Sequence, residues 1–322
     1  MKNVILGVSG QDGYFLSSLL HNLGQTVIGF VPEGRPTSLS PLTESNLNDK
    51  FTVDFRSNED LGKLLKDISP HRIFNLVGFS SVQKSFIQAQ ECISTNFLFF
   101  ERLLSVVKES FPDRIPHVFQ CSSSEMYALN GDSVIDENSE IKPLSPYGIS
   151  KSASHHLAHC YREAYGIPVS TGILFNHESE RRSATYFSGK AIKGIVEVYL
   201  GVVKEFSVQN LDFQRDWCYA GDVANAMHQI SSLDEPSDFV VASGKLRSGR
   251  DLIREGFKYL GLEEKWERFV LQSSRDIRPL DHRGKIGNFQ KLNDRTGWSP
   301  DTEFSAMIAK MIDSELQKRN MK

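Results

Sequence analysis

The chain has 322 residues, 39% hydrophobic and 24% charged, with a formal net charge of −3. That suits one large α/β domain or two smaller lobes of an ordinary soluble globular protein. The near-balanced charge, without a long basic run, argues against nucleic acid or an anionic membrane as the main partner, and no apolar run approaches the roughly 20 residues that span a bilayer.

The opening "MKNVILGVSG" reads as a first β-strand rather than a signal peptide, because glycines and "QDGYF" follow where a cleavage segment would stand. With four cysteines, Cys92, Cys121, Cys160 and Cys218, spread without a CxxC pair, reduced thiols and a cytoplasmic location are the expectation. Phe15, Leu16, Leu19, Leu20 and Leu23 recur at helical spacing. "TVIGFV" (Thr26–Val31) reads as a second strand, "FTVDF" (Phe51–Phe55) as a third and "RIFNLV" (Arg72–Val77) as a fourth, with an amphipathic helix "EDLGKLLKDI" before the last. A helix around Asn96–Val107 precedes a fifth strand, "HVFQCSSS". "GISKSASHHLAHCYREAYG" is a long helix stopped by Gly166, and "PVSTGILFN" a sixth strand.

Apolar strands alternating with helices predict an α/β fold, a doubly wound parallel (Rossmann) sheet whose ligands lie beyond the C-terminal strand ends. The rhythm weakens after Asn176. Residues 1–177, with a return segment at about 216–246, are expected to form a dinucleotide-binding domain. Residues 178–215 and 247–322 are expected to form a smaller, partly discontinuous substrate lobe.

"GVSGQDG" puts Gly7, Gly10 and Gly13 between the first strand and the first helix. Glycines there allow a tight turn and let a diphosphate approach free N–H groups at the helix N-terminus. Glu33, 20 residues after Gly13, suits the ribose 2′-hydroxyl of NAD, whereas Arg35 and Arg56 suit the 2′-phosphate of NADP. Asp54 either bonds the adenine edge or caps the following turn. In "SPYGISK", Tyr147 and Lys151 are four apart and share a helix face. An ammonium beside a phenol favours the phenolate, and such a pair serves alcohol oxidation by a nicotinamide.

This combination resembles the extended short-chain dehydrogenase/reductase family, which acts on nucleotide sugars. "GVSGQDG", "SSSEMY", "SPYGISK", "YREAYGIPVSTGILFNHESERR" and "QRDWCYAGD" narrow the resemblance to the GDP-mannose 4,6-dehydratases. The resemblance implies a catalytic set of Ser123, Glu125, Tyr147 and Lys151. It implies C4 oxidation of a GDP-hexose or heptose, elimination of water across C5 and C6, and hydride return to C6. Glu125 is the discriminating residue, because a reductase has no such C5 proton to remove.

The resemblance also implies NADP, with NAD as the alternative, held by Gly7, Gly10, Gln11, Asp12, Gly13, Arg35, Asp54, Phe55, Tyr147, Lys151, His177 and Arg182. It implies a GDP-sugar bound by Ser85, Asn176, Glu178, Lys190, Arg215, Arg278 and Asp281. Arg181 and Arg182 resemble a segment that reaches a neighbouring subunit, which implies a homodimer or homotetramer. The chain departs from the family pattern at Pro32 and Glu33, where arginines are common, and at Glu180 and Gly189. These departures leave the cofactor and the sugar open. A 4-keto-sugar reductase or epimerase on the same fold is the enzymatic alternative, and a non-catalytic dinucleotide-binding module the other. His155 and His159 have i,i+4 metal-ligand spacing, but neither an HExxH glutamate nor a third ligand accompanies them, so no metal is expected and the helix is expected to pack on a neighbouring subunit.

Overall fold

The computed structural model describes the chain except residues 34–40, 56, 128–133, 209, 273–283 and 321–322. Strands β1 (Lys2–Leu6), β2 (Thr26–Pro32), β3 (Asp49–Val53), β4 (Arg72–Asn75), β5 (His117–Ser123) and β6 (Val169–Leu174) enter a seven-stranded sheet. The six strands read from the sequence are all present. β3 starts and ends two residues earlier than its pattern suggested, and β4 stops at Asn75, whose side chain turns to donate to Gln120 at 2.6 Å.

After β6 the chain leaves the sheet as β7 (Asn176–Glu178), which pairs in parallel with β8 (Gln214–Tyr219) in a small sheet. β9 (Asp238–Val241) returns to the main sheet beside β6, and β10 (Leu246–Ser248) runs antiparallel to β8. The main sheet runs β9–β6–β5–β4–β1–β2–β3 with every pair parallel. Its order reverses between β1 and β4, so a crevice opens beyond their C-terminal ends.

Helices cover both faces, as continuous apolar strands require. On one face α2 (Asn58–Ile68), α3 (Phe99–Ser110) and α4 (Pro146–Tyr165) supply Leu61, Leu65, Phe100, Leu103 and Ala158. On the other, α1 (Gln11–Asn22) packs Leu16 and Leu20 against Val223 and Met227, and these belong to a later helix, Ala220–Ile230. Gly166, at φ +65°, ends α4 in the left-handed conformation that glycine adopts freely. A separate core around Ile192, Ile195, Trp217, Leu252, Phe257 and Met307 holds the second lobe.

The histidines of α4 do not form one patch. His155 is buried and meets Thr171 within the chain, so it does not face a neighbouring subunit, while His156 and His159 are exposed. Among the described residues no group of three His, Cys, Asp or Glu side chains is placed to hold a metal. No described helix is long and apolar enough to cross a membrane.

Candidate active site

A cleft of about 660 Å³ lies at the switch point, between the sheet and the second lobe. Its floor begins at the glycine turn. Gly7 sits at φ +82°, and a Cβ there would stand 3.1 Å from the Leu76 backbone. A Cβ on Gly13 would stand 2.4 Å from the Val8 carbonyl, so α1 can lie this close against the turn that follows β1 only without a side chain there. Gly10, the N-cap of α1, makes no side-chain cap, and the nearest atom to an added Cβ there is 3.5 Å away. A bare, donor-rich helix end therefore faces the cleft, and this cradle fits the diphosphate of a nicotinamide dinucleotide.

Beside it, His177 Nε2 lies 3.1 Å from both Asp12 carboxylate oxygens, and its Nδ1 meets the Phe175 carbonyl at 2.8 Å. Burial pushes Asp12 up, but the charge and hydrogen bond of His177, helped by Gln11 and Arg182, more than offset it and hold the carboxyl below its ordinary value. Burial likewise lowers His177, and Asp12 outweighs it and raises the imidazole. Gln11 bridges the two lobes, donating to the His177 carbonyl and accepting from Ser179.

β5 ends in the "SSS" run, and its serines diverge. Ser122 turns to the Met126 sulfur at 3.1 Å. Ser123 caps the next turn, its hydroxyl accepting from the Glu125 backbone at 3.2 Å. The Ser145 hydroxyl caps the start of α4, accepting from Gly148 N. That first turn puts Tyr147 and Lys151 in the cleft, both buried. Lys151 Nζ donates to the Cys121 carbonyl at 2.9 Å and lies 5.9 Å from the Tyr147 ring centroid. Burial drives the Tyr147 phenol well above its ordinary value. The Ser123 hydroxyl works against this, and the Glu125 charge adds to it. Burial also lowers the Lys151 ammonium.

Gly7, Gly10, Gln11, Asp12, Gly13, Ser123, Glu125, Tyr147, Lys151, Asn176, His177, Glu178, Arg182, Lys190 and Arg215 all line this one cleft. Glu178 is buried, accepts from Ser188 and is paired with Arg182 at 2.9 Å, so its carboxylate is already engaged within the chain. Three anticipated residues lie elsewhere. Ser85 is fully buried, its hydroxyl accepting from Tyr147 N and donating to the Val82 carbonyl, so it supports the Tyr147 turn rather than lining the cleft. Asp54 and Phe55 lie past the end of β3 and outside the cleft lining, and Phe55 packs on Phe99. Arg35, Arg278 and Asp281 lie outside the described residues.

Two polar residues that sequence reasoning passed over also shape the site. Asn96, buried in a π-helical segment Ser94–Leu98, accepts from Phe79 N at 2.7 Å and donates to Ser150 at 2.9 Å, fixing the Gly78–Phe79 loop to α4. Lys285, also buried, lies 3.9 Å from Glu125 Oε1. A polar residue inside an otherwise helical apolar pattern was the available signal for Asn96. Lys285 stands four residues after Asp281 in the sequence, without any motif of its own.

The family model described as GDP-mannose 4,6 dehydratase matches residues 4–311. The chain belongs to this family. GDP-mannose 4,6 dehydratase 2 of Arabidopsis thaliana is 30% identical, the alignment covering 98% of this chain and 86% of that protein. GDP-mannose 4,6 dehydratase of Cricetulus griseus is 29% identical over 98% and 92% of the two chains. Among solved structures, dTDP-glucose 4,6-dehydratase from Bacillus anthracis in complex with NAD superposes with a TM-score of 0.84 at 17% identity, covering 99% of this chain and 98% of that one. RMD from Pseudomonas aeruginosa complexed with NADPH superposes with a TM-score of 0.82 at 20% identity, covering 98% and 100%. These superpositions establish the Rossmann-type fold. The resemblance to the GDP-mannose 4,6-dehydratases is borne out, and the chain is an enzyme of the hydro-lyase type.

Proposed function

We propose that the protein is a 4,6-dehydratase of a GDP-hexose, with GDP-mannose as the first substrate to test. The observation that carries this reading is the sharing of one cleft by Glu125 and Tyr147, close enough for the Glu125 charge to act on the phenol. A reductase needs only the tyrosine. A second proton-transfer group in the same cleft suits a reaction with an elimination step.

A dinucleotide whose diphosphate Gly7–Gly13 would hold would supply the acceptor for hydride from C4 and its later donor to C6. Tyr147 takes the C4 hydroxyl proton, and Ser123 hydrogen-bonds the C4 oxygen. Oxidation at C4 acidifies the C5 proton, which Glu125 removes. Glu125 then protonates the departing C6 hydroxyl, which leaves as water. C5 later takes up a solvent-derived proton, and the product is the 4-keto-6-deoxy sugar with no net consumption of reductant. The Glu125 side chain is 30% exposed, so its proton can exchange with solvent.

Residues 1–177 with 216–246 are assigned to dinucleotide binding, and 178–215 with 247–322 to the substrate. Lys190 and Arg215 are the cleft cations assigned to the substrate diphosphate, and Asn176 to the sugar. NADP is the assigned cofactor on the strength of Arg35, with Glu33 pointing to NAD, and mass spectrometry of the retained dinucleotide decides between them. A cytoplasmic homodimer or homotetramer is assigned. Phe86 and Ile87, 63% and 86% exposed, support an apolar subunit contact.

The test is incubation with GDP-mannose. The dehydratase reading requires a product lighter by one water, formed without added NADPH. Consumption of NADPH with a 4-keto sugar and no dehydration would establish the reductase instead. Cofactor binding without turnover of GDP-sugars would establish the binding module.

A further inference from the structure

Glu125 reaches the cleft from a 3₁₀ turn, Ser124–Met126, and the underside of that turn is held by a single buried ammonium. Lys285 Nζ donates to the Ser124 carbonyl at 2.8 Å and to the Tyr127 carbonyl at 3.1 Å, and lies 3.9 Å from Glu125 Oε1. Lys285 is 8% exposed. Taking an ammonium out of water is costly unless its three donors meet acceptors and its charge meets a counter-charge. Here two carbonyls and one carboxylate surround it. The charges acting on it are Glu125, which favours the ammonium, and Arg215, which opposes it.

The backbone that presents Lys285 is firmly anchored. Gly287 N donates to Asp216 at 3.0 Å, Asn288 N donates to the Ile135 carbonyl at 2.8 Å, and Ile286–Gly287 pairs with Val134–Ile135. A Cβ on Gly284 would stand 2.6 Å from the Leu246 side chain, so the approach to Lys285 is closely packed as well. Lys285 is thus a fixed cation brought from the C-terminal part of the chain to the Glu125 turn. Lys151 has the matching place on the other side of the chemistry, beside Tyr147.

We propose that Lys285 is a positioning residue for the elimination step, holding the Glu125 turn and orienting its carboxylate toward C5. This rests on the reading of Glu125 as the C5 base. In that step the C5–H bond breaks, its proton passes to Glu125 and its electron pair enters the enolate of the C4 ketone. The enolate then expels the C6 oxygen, which leaves as water with a proton from Glu125, and C5=C6 forms. C4 oxidation runs through Ser123, Tyr147 and Lys151 and does not call on Lys285. The two steps therefore separate by experiment.

The holoenzyme with its retained dinucleotide is mixed with GDP-mannose in deuterated water. Near-ultraviolet absorbance of the reduced nicotinamide reads C4 oxidation, and NMR reads deuterium entering at C5. Lys285→Gln keeps an amide NH2 to donate to the carbonyls and removes the charge. It is expected to leave KM and C4 oxidation within about threefold of the parent and to slow C5 exchange on the order of 100-fold, the cost of a misplaced catalytic group. Lys285→Arg, which keeps the charge, is expected to recover roughly tenfold or more of that loss. Exchange at the parent rate in Lys285→Gln overturns the proposal. So does a parallel loss of cofactor retention, C4 oxidation and exchange in both variants, which would make Lys285 a folding contact only. Glu125→Gln is run alongside. If that variant still exchanges C5, the assignment of Glu125 as the base is what has failed.

Discussion

Gly148 and Glu125 meet so closely that a Cβ on the glycine would stand 2.4 Å from the glutamate's carbonyl oxygen. No ordinary contact is that short, so the first turn of α4 can lie against the Glu125 turn only because residue 148 has no side chain. Tyr147 is the neighbouring residue in that turn. Close packing at one glycine therefore sets the spacing between the phenol and the carboxylate, and with it the sharing of one cleft by two proton-transfer groups.

Gly148→Ala should disturb that spacing. Overpacking at a buried backbone contact costs about 1–3 kcal/mol. Thermal unfolding is expected to show a loss in this range. Turnover of GDP-mannose should fall by more than tenfold while dinucleotide affinity, set at the other end of the cleft, changes little. Equal losses in turnover and dinucleotide affinity would show that the contact does not separate the two functions.

Much of this arrangement was legible in the residues themselves. Continuous apolar runs gave the parallel sheet, because strands buried on both faces have no polar positions to alternate with. Gly7, Gly10 and Gly13 marked the cradle by their position between strand and helix, and Tyr147 and Lys151 share a helix face because their spacing demands it. Ser85 was misplaced for an equally local reason. A hydroxyl near a helix end looks the same in sequence whether it faces ligand or accepts from a backbone N–H, and here the Tyr147 N–H takes it. Lys285 was invisible because its meaning depends on a contact across 160 residues of chain to the turn that carries Glu125. The π-helical turn around Asn96 and the close approach at Gly148 are likewise products of tertiary packing.

The glycine turn allows a paired test. Gly13→Ala places a Cβ 2.4 Å from the Val8 carbonyl and should destabilise the fold, since backbone must move. Gly10→Ala meets its nearest atom at 3.5 Å, an ordinary contact, and should change stability by less than about 1 kcal/mol. Its methyl group would nevertheless occupy the mouth of the cradle. Calorimetric titration with the dinucleotide is expected to show a tenfold or greater loss of affinity for Gly10→Ala despite an almost unchanged melting temperature.

The Asp12–His177 pair sets a pH window. Asp12 is held below its ordinary 3.8, so its contribution to stability is present above pH 3.8 and is lost as pH falls through the lower folded value. His177 is held above its ordinary 6.5, so its contribution is complete below pH 6.5 and is lost as pH rises through the raised value. Both charges therefore act together between pH 3.8 and 6.5. Asp12→Asn is expected to cost roughly 1–3 kcal/mol in that window and less on either side. NMR titration should show the His177 imidazole titrating at lower pH in the variant, and an unmoved His177 would show that the pair is not electrostatically coupled.

Glu125→Gln should do more than stop the elimination. The Glu125 charge helps to keep the Tyr147 phenol protonated, since a carboxylate disfavours a second anion nearby. Removing that charge while keeping the side chain's shape lowers the phenol's pKa, and a base that must be ionised to accept the C4 proton becomes available at lower pH. Single-turnover formation of reduced nicotinamide from GDP-mannose, followed against pH, should therefore shift its rising limb toward lower pH in the variant. Dehydrated product should be absent at every pH, and reduced nicotinamide should accumulate, because the hydride taken from C4 has no C5=C6 acceptor to return to. The wild type, which completes the cycle, should show only a transient. An unshifted limb together with lost dehydration would mean that Glu125 serves the second step without acting on the first.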